Sequence, residues 1–225
     1  MPRPPRIIVA DWCYHFLNRG NERAKIFHEP ADYDAFIELV RQAQHRVFVP
    51  ILAYCLMPNH LHFVVRPNSA ADLTQWAHWL FTSHAHRHRA KHDTTGHVWQ
   101  GRFKTFAIQR DHHLLTVLRY VERNALASKL VGRAEEWRWG SLRWRKSPGA
   151  PLPLADCPVE LPSHWDEFVN LPHSAIELAE LRTCVNRQRP FGAEDWVSDA
   201  IERQENHQSV DPVGRPRKRK PGTIS

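Results

Sequence analysis

Two apolar runs separated by a short turn constrain this chain more than any other feature. Val47 to Leu56 (V-F-V-P-I-L-A-Y-C-L) reads as a buried strand, Leu61 to Arg66 as a second, and Met57-Pro58-Asn59 between them as a turn. A hairpin of this kind needs further strands and covering helices to be stable. The flanking segments supply them. Trp12 to Asn18 is aromatic and apolar and ends in the turn Asn18-Arg19-Gly20-Asn21; Phe103 to Gln109 alternates as a strand does. Asp32 to His45 has helical spacing with Pro30 at its start, Ala71 to Lys91 is helical with Leu73, Trp76, Ala77 and Leu80 on one side, and Asp111 caps a helix running to about Ala127. Strand, helix, strand, strand, helix, strand, helix predicts an α+β fold: a ferredoxin-like antiparallel sheet with packed helices, followed by a C-terminal extension.

Charge divides the chain into three. Residues 1–150 carry 22 Lys/Arg against 12 Asp/Glu, residues 151–213 carry 4 against 12, and residues 214–225 carry 5 against none. The first part is expected to be the functional domain and the second an acidic, aromatic appendage that packs on the core or on a partner. Helical spacing returns in that appendage at Ser174 to Val185. The third part is expected to be a disordered basic tail. A basic body and tail point to a polyanionic partner such as nucleic acid. No apolar run reaches the length of a membrane span, and Ile7 to Ala10 is too short for a signal-peptide core. Cys13, Cys55, Cys157 and Cys184 form no C-x-x-C pair and read as free thiols in a reducing cytoplasm.

Three local features carry chemistry. In Pro58-Asn59-His60-Leu61-His62 the two histidines are two apart, so on a strand they share a face and make half a metal site. The plain alternative is a pair of surface or core histidines. His84-x-His86-x-His88 has the same spacing, but it lies in an expected helix, where residues two apart do not share a face, and reads as a charged flank. In the helix Leu114 to Ala125, Leu114, Val117, Leu118, Val121 and Ala125 form the apolar stripe, while Tyr120 and Asn124 fall one above the other on the neighbouring stripe. A phenol is a weak nucleophile and needs a metal or base beside it, which a facing H-x-H strand supplies; otherwise Tyr120 is an ordinary boundary residue. The turn Gly96 to Lys104 offers cations and aromatics for phosphates and bases, or is simply a hairpin loop.

Taken in order, N-R-G-N-E-R (18–23), A-Y-C-L-M-P-N-H-L-H-F-V-V (53–65), W-Q-G-R-F-K (99–104), R-Y-V-E-R-N-A-L (119–126), W-R-W-G-S (137–141) and G-R-P-R-K (214–218) resemble the REP-associated tyrosine transposases, a branch of the single-tyrosine HUH transposases. The resemblance implies a transposase that nicks and rejoins single-stranded DNA at palindromic repeat hairpins through a 5′-phosphotyrosine. It implies His60, His62 and Asn124 as ligands of Mg2+ or Mn2+ and Tyr120 as nucleophile. Imidazole donors lean towards manganese. Arg19, Arg23, Arg102 and Lys104 are candidates for positioning the DNA through phosphates. Gly214-Arg215-Pro216-Arg217 resembles a minor-groove hook, with Lys218 beside it.

Shorter relatives pair as dimers that exchange the tyrosine helix. The acidic appendage would block that surface, so a monomer is expected, in the cytoplasm and on the nucleoid when bound to DNA. Leu61 stands where an aromatic is common and Ala125 where a proline is frequent; neither removes a catalytic group. Two other classes remain open: a non-cutting hairpin or single-strand binder, and a hydrolase using the histidines and a water, for which Tyr120 is dispensable.

Overall fold

The computed structural model describes residues 8–210. Strands β1 (Cys13–Arg19), β2 (Ile51–Met57), β3 (His60–Val65) and β4 (Lys104–Ile108) form one sheet in the order β2-β3-β1-β4. All three pairings are antiparallel. Helices α1 (Pro30–Arg46) and α2 (Ala70–His92) sit between the strands in sequence. This is the ferredoxin-like arrangement expected from the element order.

Alternation sorts the strand residues onto two faces. On β3, Leu61, Phe63 and Val65 enter the core beneath α1 and α2, with Phe16, Phe36 and Trp76. His60 and His62 point the other way, on the side where Val64 meets helix α3 (His112–Glu122). The helix starts follow from local chemistry. Pro30 occupies the first turn of α1, Ser69 accepts a bond from Asp72 N at the head of α2, and Asp111 accepts one from His113 N at the head of α3.

Two boundaries differ from expectation. Val47 to Pro50 is not strand. The Gln44 side chain holds Val49 instead, accepting from its N–H at 2.8 Å and donating to its carbonyl at 2.7 Å, so β2 begins only at Ile51. The helix expected to run to about Ala127 is divided at Arg123, which keeps right-handed helical dihedrals (φ −83°, ψ −6°) and donates to Arg119 O, and Asn124 begins a separate turn, α4 (Asn124–Ala127).

The chain after α4 covers both sheet edges, which removes the unpaired groups an edge exposes. Leu56 N donates to Trp139 O and Ala155 N to Ile51 O along β2; Phe191 N donates to Ala107 O along β4. Helices α5 (Trp165–Asn170) and α6 (Ala175–Arg187) bury Trp165, Val169, Leu181 and Cys184 in the α3-side core. The acidic segment therefore packs on this chain's own core. A last helix, α7 (Glu194–Val210), follows. Among the described residues no helix is long and apolar enough to cross a membrane.

Candidate active site

The site forms where β1, β3 and α3 meet. The β1–β3 register sets Leu17 opposite His62 and Arg19 opposite His60. Paired residues share a face, so Arg19 stands beside the two histidines and His15 lies diagonal to His62. Tyr120 reaches the same place from α3: its ring meets His62 edge-on at 5.7 Å between centroids and His15 at 6.1 Å. Asn124, buried at the head of α4, brings Nδ2 to 3.2 Å from His62 Nε2. Tyr120 and Asn124 thus face the H-x-H strand together.

The hydrogen bonds assign each histidine one tautomer. Asn124 Nδ2 can only donate, so His62 Nε2 accepts. The His62 proton then sits on Nδ1 and is given to His15 Nε2 at 2.8 Å. At the neighbouring position, Asn59 Oδ1 can only accept, and His60 Nδ1 donates to it at 2.7 Å. Asn59 is itself oriented by its amide N–H, which donates to the Arg23 carbonyl at 3.1 Å. Both histidines therefore carry their lone pair on Nε2, the form in which an imidazole binds a cation while its other nitrogen is held by a partner.

Burial keeps this set neutral. It lowers the His15 pKa to about 3, helped by His60, and the His60 pKa to about 4, helped by Arg19. His62 is pushed well below the usual histidine range by burial, His60, His15 and Arg19. Burial pushes the Tyr120 phenol up, while Arg182, Arg19 and a hydrogen bond from Asn124 pull it down.

The sequence blocks that carry the resemblance converge in space. Gly20 N donates to Asn59 O, Asn21 N to Val98 O and Gln100 N to Arg19 O, which fastens N-R-G-N-E-R to the P-N-H turn and to W-Q-G-R-F-K. Gly20 is required by close approach: a Cβ there would lie 2.2 Å from the Ala24 carbonyl oxygen. R-Y-V-E-R-N-A-L and W-R-W-G-S meet at Glu122, whose fully buried carboxylate accepts from Ser141 Oγ at 2.5 Å, Arg145 Nε at 2.7 Å and Trp165 Nε1 at 2.6 Å.

The other expected contact residues are dispersed. Arg19 adjoins the histidines, and its Nε is buried without a hydrogen-bond partner. Arg23 sits exposed in a 3-10 turn with φ +62°. Arg102 lines a cavity of about 770 Å³ with Phe81, His97, Trp99 and Phe103, between α2 and the loop before β4. Lys104 is exposed on β4 opposite Leu17. Arg215, Arg217 and Lys218 lie outside the described residues. His15, Asn59 and Arg182 were not singled out from the sequence. Asn59 could have been found as the polar residue preceding H-x-H; His15 is one of several aromatic-like residues in W-C-Y-H-F, and Arg182 is distant in the chain.

With this geometry in view, similarity to known proteins decides the family. The family described as IS200-like transposases matches residues 8–124, more than half of the chain. The chain belongs to the IS200-like transposase family. The matched span contains His60, His62, Tyr120 and, as its last residue, Asn124. Among solved structures, a REP-associated tyrosine transposase bound to a REP hairpin is similar at 15% identity and a TM-score of 0.56, covering 77% of this chain and 93% of its own. It shares the α+β fold. A protein from Deinococcus radiodurans R1 aligns with a TM-score of 0.38 and 16% identity over 55% of this chain and 97% of its own. No curated protein is similar to the chain.

Proposed function

We propose that this transposase nicks and rejoins single-stranded DNA at palindromic repeat hairpins, with Tyr120 as nucleophile and His60, His62 and Asn124 as cation ligands. The observation that carries the reading is the convergence of His60 and His62 with Asn124, whose Nδ2 is 3.2 Å from His62 Nε2, and with the Tyr120 ring, 5.7 Å from that of His62. Two imidazoles and a rotatable amide fit a divalent cation that keeps positions for water and phosphate oxygens, and the donor set favours Mn2+ over Mg2+. Such a cation supplies charge stabilisation for the scissile phosphate.

The chain's own residues do the rest. His15 and Asn59 hold the two imidazoles in one tautomer. Arg19 places a fixed positive charge beside them, suited to a phosphate oxygen. Tyr120 gives up its phenolic proton and its oxygen attacks phosphorus. The bond to the 3′-oxygen breaks, leaving a 5′-phosphotyrosine and a 3′-hydroxyl that takes up a proton. Attack by the 3′-hydroxyl of another strand reverses the step and releases Tyr120. Arg23, Arg102 and Lys104 position the strand through phosphates, and Phe81, Trp99 and Phe103 offer stacking surfaces at the nearby cavity. The hairpin as partner is supported by the similar fold of the REP-hairpin-bound transposase. We assign the active domain to residues 1–150, an acidic, aromatic appendage to 151–213 and a basic tail to 214–225, in a monomer that works in the cytoplasm on nucleoid DNA.

The test is incubation of the full chain with labelled single-stranded DNA carrying palindromic repeats from its own genome, plus Mn2+, followed by denaturing electrophoresis. A covalent adduct lost in Tyr120→Phe and with chelator is expected. Cleavage that survives Tyr120→Phe would favour a water-using hydrolase. Tight binding with neither adduct nor cleavage would favour a non-cutting binder.

A further inference from the structure

The histidine run on α2 is not a solvated flank. His84 and His88 are four residues apart and both buried, and His92 follows four residues later; only His86 is exposed. Residues at i, i+4 and i+8 stand one above another on a helix, so the relevant spacing is four, not two. His28, from the loop between β1 and α1, completes the group. Its ring centroid is 4.4 Å from that of His92 and 5.6 Å from that of His88, and His88 and His92 are 4.7 Å apart.

The central imidazole lacks a protein partner: both ring nitrogens of His88 are buried without a hydrogen bond, in a residue only 9% exposed. A buried polar atom left in this state is costly unless something outside the protein satisfies it. One candidate donor nitrogen from each of His28, His88 and His92 lies within 4.8 Å of the others. Three imidazoles around a tetrahedral zinc stand roughly 3.4 Å apart, from Zn–N of about 2.0–2.1 Å. Closing from that spacing takes at most about 1.4 Å, at a residue, His28, that is exposed on a loop. Asp32 Oδ2 lies 3.3 Å from His92 Nε2, placed as the carboxylate that orients a ligating histidine through its second nitrogen. Lys91 and the His28 backbone N–H hold that carboxylate in place. Burial lowers the His88 pKa, so its ring is neutral and able to ligate.

We propose that His28, His88 and His92 form a second cation site, for zinc or another imidazole-seeking first-row dication, separate from the His60/His62/Asn124 set. It lies on the α1/α2 side of the molecule. The loop that carries His28 also braces the P-N-H turn, since Ile26 N and Phe27 N both donate to the Pro58 carbonyl. A cation here ties that loop to the end of α2 and stiffens the turn preceding His60.

The test uses the full chain carrying His60→Ala and His62→Ala, stripped with chelator and dialysed against Zn2+ or Co2+. One equivalent of zinc is expected to remain, with a rise in melting temperature. Cobalt is expected to give the visible absorption of a four-coordinate site. Adding His28→Ala, an exposed change that leaves the core untouched, should weaken binding at least 10-fold; His86→Ala should not alter it. Absence of stoichiometric zinc in the parent variant, or binding unchanged by His28→Ala and by His88→Gln, would overturn the proposal. Because the proposed catalytic ligands are already removed, either result is independent of the DNA-cleavage assay.

Discussion

The two faces of the sheet are made by the same alternating strands but have opposite character. Beneath α1 and α2 the core is aromatic: Phe16 stacks on Phe103 and Phe81, and Trp76 meets Phe16 and Phe63 edge-on. Beneath α3, aliphatic residues from the helix share the space with His15, His60, His62, Tyr120, Asn124 and the buried Glu122. The first face gains stability from area and ring geometry. The second holds neutral imidazoles and a phenol out of water and places them by hydrogen bonds, at a cost in desolvation. A strand whose odd residues build a core can therefore present buried imidazoles with its even residues, without a separate loop to carry them.

The largest expected effect tests the chemical face alone. Tyr120→Phe should remove the covalent DNA adduct entirely while changing stability by no more than about 1 kcal/mol, the worth of one hydroxyl contact; a denaturant titration run beside the gel checks both halves. Trp76→Ala tests the other face, and should cost about 3–5 kcal/mol. Adduct formation per folded molecule should be retained, and its loss in protein that circular dichroism shows to be folded would mean that the two faces are coupled.

Glu122→Ala would blur the comparison, because it asks whether the chemical side also bears stability. It strips Ser141, Trp165 and the largely buried Arg145 of their common acceptor, so a loss of about 3–5 kcal/mol is expected in urea unfolding. His15→Ala should be milder in stability but specific in chemistry. Freed of its partner, His62 loses its fixed tautomer, and the Mn2+ concentration for half-maximal adduct should rise about 10–100-fold. Unchanged metal dependence would show that His15 only fills space. Arg138→Ala, which breaks an exposed pair with Asp34 at 2.9 Å, should shift stability by about 0–1 kcal/mol and leave the adduct unaltered.

Much of the architecture was legible. The hairpin around Met57-Pro58-Asn59, the alternation of β4 and the apolar stripe of α3 each appear in the chain as a period, and each element formed where its period ran. The misplaced edges have local causes that a period does not report. Gln44 captures Val49 through its side chain, and the helix after α3 is divided at Arg123 although that residue keeps right-handed helical dihedrals. In the site, the strand spacing of His60 and His62 and the helical spacing of Tyr120 and Asn124 were sufficient to pair them. His15 was hidden because one histidine in an aromatic strand has no period of its own. The α2 histidines read as a solvated flank at spacing two, whereas the helix aligns spacing four, which puts His84 and His88 together on the buried side.

The sequence by itself determined which residues share a face, since the backbone repeats of strand and helix assign each side chain a direction wherever those elements form. It did not determine which faces meet. That His15 stands diagonal to His62 depends on the β1–β3 register. That Asn124 reaches His62 depends on α3 docking across the sheet. The tautomers, the depressed histidine pKa values and the loop contacts around Gly20 all follow from those pairings. They rest on hydrogen bonds and desolvation between residues far apart in the chain, such as Asn124 with His62 and Gln100 with Arg19, and such terms exist only once the chain has closed on itself.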